Sequence, residues 1–181
     1  IILSADVVLL QLEIPVETVA YTIDLVSKRE KPLSILNPAP GRKLDKKIWE
    51  KVDLITPNRS ELELITGMKV ESIEDAEKSA REVISSGVKE VVVTLGKDGA
   101  LVVNEKGSTY VPSFKVEVVD TTGAGDAFNG GLAVALSEGK DLISAVYFAN
   151  AVAALNVTKI GTAPAMPYRE EVEKFLKEHL K

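Results

Sequence analysis

Gly123-Ala124-Gly125 stand directly before Asp126, at the head of a stretch with helical periodicity. A helix N-terminus presents unpaired N–H groups and a partial positive charge. Three residues with almost no side chain would let an anion reach that backbone. Asp126 then falls in the first turn, beside the place where a phosphate would lie. A carboxylate facing a phosphate is repulsive unless the chemistry requires it. Accepting the proton of an alcohol that attacks a γ-phosphate is such a requirement. On this reading Gly123, Ala124 and Gly125 form an anion hole for the transferred phosphoryl group, with Asp126 as base. The alternative is a tight strand-to-helix turn whose Asp complements the helix dipole. No GxxxxGK[ST] occurs, so a P-loop mechanism is excluded.

A second constellation is Asn58 and Glu61 in Thr56-Pro57-Asn58-Arg59-Ser60-Glu61. The two lie one turn apart at a helix start, so both can point at one hydrated cation. Taken alone, Glu61 reads as a first-turn partner of the dipole. Other chemistries are closed off. The chain has no Cys, which removes disulfides and thiolate metal sites. Its one His, His179, sits among Lys and Glu near the end and reads as a solvated helix residue. A formal net charge of -5 argues against a general nucleic-acid binder, which needs a basic face. Apolar runs such as Val7-Val8-Leu9-Leu10 are too short to span a membrane, and the opening decapeptide lacks the basic region of a signal peptide. A reducing cytoplasm is compatible with all of this.

These residues need a scaffold. With 181 residues and a hydrophobic fraction of 45%, the chain can bury a sizeable core and reads as one domain, 1–181. Strands are expected at 7–11, 33–36, 53–56, 90–95 and 116–119, with a hairpin of 100–104 and 108–111 around Glu105-Lys106-Gly107. Helices are expected at 16–28, 45–51, 60–66, 72–86, 124–137, 142–158 and 169–180. Gly67 reads as a C-cap, and Ser72, with Asp75 three residues on, as an N-cap. The alternation implies an α/β fold, a largely parallel sheet sandwiched between helices.

The stretch Asp120-Thr121-Thr122-Gly123-Ala124-Gly125-Asp126 resembles the C-terminal DTxGAGD motif of the ribokinase family of sugar kinases. Four further segments follow in the family's order. Pro57-Asn58 with Glu61 resembles its PNxxE element, where Asn and Glu organise magnesium, water and the nucleotide phosphates. Thr94-Leu95-Gly96-Lys97-Asp98-Gly99 resembles its TLGxxG turn, so Thr94, Gly96 and Gly99 are implied nucleotide contacts. Phe148-Ala149-Asn150-Ala151 matches the helix beside the adenine; Asn150 is there a nucleotide contact or an ordinary helix residue. The 158–167 segment resembles the loop that closes a monovalent-cation site. Backbone carbonyls of Asp120, Thr122, Asn156, Lys159 and Gly161 are its implied ligands, a donor type suited to potassium. The family often carries Ser at the position of Ala165, a departure that bears on the affinity of that site. Gln11-Leu12-Glu13 resembles the family's QLE segment and makes Glu13 an implied sugar contact. The 37–41 loop, NPAPG, resembles the ribokinase branch.

The resemblance implies ATP, Mg2+ and K+ as cofactors and a sugar primary hydroxyl, D-ribose first, as acceptor with Asp126 beside it. It covers only the C-terminal part of the family. The first strands, the small β-lid and the Asp that grips the sugar are expected to be missing, and with the lid the surface through which the family forms homodimers. The chain alone is therefore expected to hold sugar poorly. Two other readings stand beside this one: a truncated non-catalytic ATP-binding module, and a related kinase for another alcohol such as a nucleoside or vitamin precursor.

Overall fold

The computed structural model describes residues 1–179. Six strands form one sheet: β1 (Val7–Leu10), β2 (Leu33–Leu36), β3 (Leu54–Ile55), β4 (Glu90–Thr94), β5 (Ala100–Asn104) and β6 (Gly107–Val111). They lie in the sheet in chain order, β1-β2-β3-β4-β5-β6. β1, β2, β3 and β4 pair in parallel, with Leu9 opposite Ile35, Leu36 opposite Ile55 and Ile55 opposite Val91. The links before and after β5 are too short for a parallel crossover, so this end of the sheet turns back on itself. The seven helices among the described residues are α1 (Val16–Val26), α2 (Lys46–Trp49), α3 (Arg59–Thr66), α4 (Ile73–Ser85), α5 (Ala124–Ser137), α6 (Leu142–Asn156) and α7 (Arg169–His179). The expected end of the last helix, Leu180, lies outside the described residues.

The chain divides into two compact units. The first comprises residues 1–95 and 101–110 and carries the sheet with α1, α2, α3 and α4. Parallel strands laid down in order, with the right-handed crossovers that are the rule, place the connecting helices on one face. Leu36, Ile55, Val91 and Val93 on that face pack with Val19 and Ile23 of α1, Trp49 of α2, Leu62 of α3, and Ala80 and Val83 of α4. Ile35, Leu54 and Val92, on the opposite face, are buried as well. The strands therefore read as continuous apolar runs and not as alternating ones. Burying each large side chain contributes about 1.5–3 kcal/mol. A polar tie crosses β2 and β3: Asp53 Oδ2 accepts from Ser34 N–H (2.9 Å) and Ser34 Oγ (2.8 Å), and Asp53 Oδ1 from Lys89 Nζ (2.5 Å). Burial raises the Asp53 pKa, but the Lys89 and Ser34 hydrogen bonds outweigh it and hold the carboxyl below its usual range.

Both expected caps are present. Ser72 and Asp75 form a capping box on α4, and Gly67 ends α3 in the left-handed conformation at φ +75°.

The second unit comprises residues 96–100 and 111 onward and carries α5, α6 and α7. α5 and α6 pack closely because Gly131 lets Val152 and Ala149 approach its Cα. Phe114, Tyr147 and Phe175 form a tilted cluster with centroids 5.0 and 5.1 Å apart. His179, read from the sequence as merely solvated, joins it: its exposed ring lies 4.2 Å from Phe175 and 5.4 Å from Phe114. The expected strand at 116–119 is not formed. Val118 and Val119 are exposed, and the Val119 and Asp120 N–H groups both donate to the Val157 carbonyl (2.8 and 3.2 Å). The Val119 donor is thus taken by the end of a helix and not by a neighbouring strand.

Candidate active site

The α5 start has the geometry that its small residues suggest. Gly123 is the N-cap, at φ +78°, with Thr162 packed 3.2–3.4 Å from where a Cβ would stand. A side chain there would meet both a disfavoured backbone conformation and a neighbour. A Cβ on Gly125 would find nothing within 4 Å, so the space above that residue is open. The Ala124 N–H donates to the Thr121 carbonyl (3.2 Å). The Ala124 N–H is thus taken, whereas the N–H groups of Gly125 and Asp126 have no backbone partner among the described residues. The Asp126 carboxylate is exposed in the first turn, with no side-chain hydrogen bond or ion pair among the described residues. An untied carboxylate and two unpaired amides thus share one turn.

The turn before α5 is held by a side chain. Asp120 Oδ1 accepts from Thr122 N–H (2.9 Å) and Thr122 Oγ1 (2.6 Å), and Asp120 Oδ2 from Gly161 N–H (2.9 Å). The Thr122 hydroxyl, then the Gly161 and Thr122 N–H groups, hold the Asp120 pKa down at about 2. The structure therefore brings Asp120, Thr122 and Gly161 together. Asn156, at the end of α6, is fully buried; its carbonyl accepts from Lys159 N–H (3.2 Å) and its Oδ1 has no partner among the described residues. An orphaned buried oxygen beside a carbonyl-rich loop suits a weakly hydrated monovalent cation. The Lys159 side chain points to another task, an ion pair with Glu171 (2.9 Å).

Gly99 and Asn150 meet at one stretch of backbone. Asn150 Nδ2 donates to the carbonyls of Val111 (3.2 Å) and Pro112 (3.1 Å). A Cβ on Gly99, at φ +102°, would fall 2.2 Å from the Val111 oxygen. Asn150 thus spends its donors on positioning the 111–112 segment, leaving its oxygen as the group available to a ligand. Gly96 is exposed at φ +62°, in a single 3-10 turn Gly96–Asp98.

In the first unit, Asn58 and Glu61 form a reciprocal capping box. Asn58 Oδ1 accepts from Glu61 N–H, and Glu61 Oε2 from Asn58 N–H, both at 2.8 Å. Glu61 is only 8% exposed, and burial raises its pKa against the lowering effect of the Asn58 N–H. One carboxylate oxygen, Oε1, is left for a cation or its water. This fits a single outer contact and not a protein-built cage; among the described residues no group of three or more His, Cys, Asp or Glu gathers. Thr94 bridges to Asn58, donating its N–H to the Pro57 carbonyl (2.9 Å), so these two expected nucleotide contacts are adjacent. Glu13 is exposed just past β1.

Two features were missed from sequence. One is a groove of about 230 Å³ alongside α5, lined by Asp126, Ala127, Gly130, Val134, Phe148 and Arg169 among others. Arg169 is pinned there over the Phe148 ring (5.8 Å to its centroid) by Glu138 and Glu173. The other is Asn129, whose Nδ2 donates to the Gly125 carbonyl (2.9 Å). An Asn four residues after a glycine at a helix start was the available signal.

Residues 1–169 match the pfkB family carbohydrate kinase. A ribokinase of Haemophilus influenzae is 38% identical over 175 residues, covering 97% of this chain and 57% of that protein. The crystal structure of a Thermotoga maritima ribokinase superposes with a TM-score of 0.86 at 42% identity, covering 97% of this chain and 58% of that one. The structure of an Arabidopsis thaliana ribokinase complexed with ribose and ATP gives 0.91 at 35%, covering 96% and 56%. The chain thus spans little more than half the length of the relatives that it matches.

Proposed function

The chain belongs to the pfkB family of carbohydrate kinases, and from that premise we propose that residues 1–181 form the nucleotide-binding and catalytic portion of an ATP-dependent sugar kinase. The reaction is transfer of the γ-phosphoryl group to a sugar primary hydroxyl, D-ribose giving ribose 5-phosphate. The observation that carries this reading is the first turn of α5: an untied Asp126 carboxylate beside two unpaired amides, with open space above Gly125.

Asp126 orients the hydroxyl and accepts its proton as the oxygen attacks phosphorus. The N–H groups of Gly125 and Asp126 face the charge that builds on the moving phosphoryl group. Gly123 turns the chain so that these amides point outward, and the small side chain of Ala124 leaves their approach clear. Thr94, Gly96, Gly99 and Asn150 hold the nucleotide, and Glu13 contacts the sugar. Asn58 and Glu61 would hold a magnesium ion through water; when bound, it neutralises the phosphate oxygens. The carbonyls of Asp120, Thr122, Asn156, Lys159 and Gly161 would hold a potassium ion. The protein acts in the cytoplasm on small molecules, with neither nucleic acid nor membrane as partner. Among the described residues no helix is long and apolar enough to cross a membrane. The whole protein is a homodimer through a lid outside this portion.

The test is ADP release from Mg-ATP in potassium buffer, with and without D-ribose. It is run on this chain and on the chain joined to the part of the Thermotoga ribokinase that it does not cover. Ribose-dependent release from the joined protein, abolished by Asp126→Ala, is the expected result. Release that survives Asp126→Ala refutes the base. ATP binding without release in either form supports instead a non-catalytic nucleotide-binding module. Release that follows a nucleoside and not ribose moves the acceptor.

A further inference from the structure

We propose that Asn129 is a positioning residue for the anion hole, acting through the carbonyl of Gly125. The inference rests on the anion-hole reading of the α5 start and extends it to a side chain that the reading does not use.

The argument begins with a peptide plane. The Gly125 carbonyl and the Asp126 N–H belong to the same rigid amide, so fixing one end fixes the direction of the other. That N–H is one of the two open donors. The plane lies in the first turn of a helix, where helices fray, and is preceded by glycine, the residue with the widest backbone freedom. Something must hold it if it is to meet a phosphoryl group in a set direction. Asn129 Nδ2 donates to the Gly125 oxygen at 2.9 Å. A carbonyl has two lone pairs, so this bond adds to the ordinary helical one. It also draws electron density toward the oxygen and leaves the N–H on the far side of the plane a better donor.

Asn129 is poorly suited to its place on other grounds. It lies inside α5 at 2% exposure, where an apolar side chain would favour both helix and burial. A buried amide in a helix interior calls for a reason, and the hydrogen bond to Gly125 supplies one. The other end of the turn is held by Asp120, through Thr122 and Gly161. The donors are thus fixed from both sides.

The experiment compares Asn129→Thr with Asn129→Val. The two side chains have nearly the same shape, and only Thr can donate to the carbonyl four residues back. Threonines of this chain already do so, Thr22 to Thr18 and Thr66 to Leu62, each at 2.8 Å. Asn129→Ser and Asn129→Ala repeat the comparison with less bulk. Two readouts are taken on the folded chain: the Asp126 amide resonance without ligand, and the affinity for Mg-ADP with and without aluminium fluoride, a mimic of the moving phosphoryl group.

The expected result is that Val and Ala shift the Asp126 amide and weaken the fluoride complex about tenfold, with Mg-ADP affinity within about twofold. Thr and Ser stay near the wild type. Equal losses in both members of each pair, or losses shared by ADP and its fluoride complex, overturn the positioning role and leave the anion hole standing. A wild-type chain that gains no affinity from aluminium fluoride overturns both.

Discussion

Two neighbouring glycines on α5 should respond to the same substitution with opposite signs. Replacing Gly by Ala inside a helix gains about 1 kcal/mol, because the unfolded glycine has more freedom to lose. At Gly130 nothing stands within 4 Å of the new Cβ, so Gly130→Ala should stabilise α5 by nearly that amount. At Gly131 the Cβ would lie 2.9 Å from Val152 Cγ2, 3.1 Å from Val152 Cβ and 3.2 Å from Ala149 Cα, all on α6. The last is backbone and cannot rotate away. Overpacking of this kind costs about 1–3 kcal/mol, so Gly131→Ala should be destabilising by about 1 kcal/mol net. The two variants then differ by about 2 kcal/mol. Amide hydrogen exchange along α5 reads that gap locally, as roughly thirtyfold in protection. Variants that shift protection in the same direction, or a Gly131→Ala chain more protected than the wild type, would refute the claim that close α5–α6 contact excludes a side chain there.

Other outcomes follow from the same geometry. Gly99→Ala combines a left-handed backbone with overlap on the Val111 oxygen and the Ser113 nitrogen, 2.2 and 2.6 Å away. It should cost about 3 kcal/mol in urea unfolding, whereas Gly96→Ala, at φ +62° with open space, should cost about 1 kcal/mol. The Asp53 carboxyl is held below its ordinary pKa in the fold, so its ion pair stabilises above the unfolded value and fades as pH falls through the folded one. Asp53→Asn should therefore cost about 1–2 kcal/mol at pH 7, and the difference from wild type should shrink below about pH 4. Parallel melts at several pH values measure it, and a cost that stays constant to pH 2 would count against the pairing.

How much of this was legible in the sequence depended on the range of the interaction. The capping box at Ser72, the C-cap at Gly67 and the start of α5 are built from residues within one turn of each other. Side-chain and backbone chemistry alone reveals them. The 116–119 segment looked like a strand because its valines favour extended backbone. Strand formation needs a partner edge, and here the Val119 and Asp120 N–H groups go to Val157, some forty positions along the chain. Asp120 was read for its backbone oxygen; its side-chain bond to Gly161 spans 41 residues and was out of reach for the same reason. Asn150 was left between two roles, because its partners, Val111 and Pro112, lie on a distant segment. His179 is exposed on α7 as read, but its ring contacts were not foreseen, because neither Phe175 nor Phe114 announces, in sequence, which side its ring presents.

The order of the strands has a further consequence, for the way in which this sheet is made. β1 through β6 stand side by side in the order in which a ribosome would release them. Among these six, no strand has to be threaded between two that are already paired, and each of β2 to β6 meets the edge left by the one before it. Growth can therefore proceed from one side, like courses laid on a wall, with every crossover helix docking on the same face as it emerges. An interruption after any strand leaves a smaller sheet with the same pairing, and not a scrambled one. Pauses in synthesis between α4 and β4 should thus do little harm, whereas reordering the strand segments by permutation would force insertions that the natural order avoids.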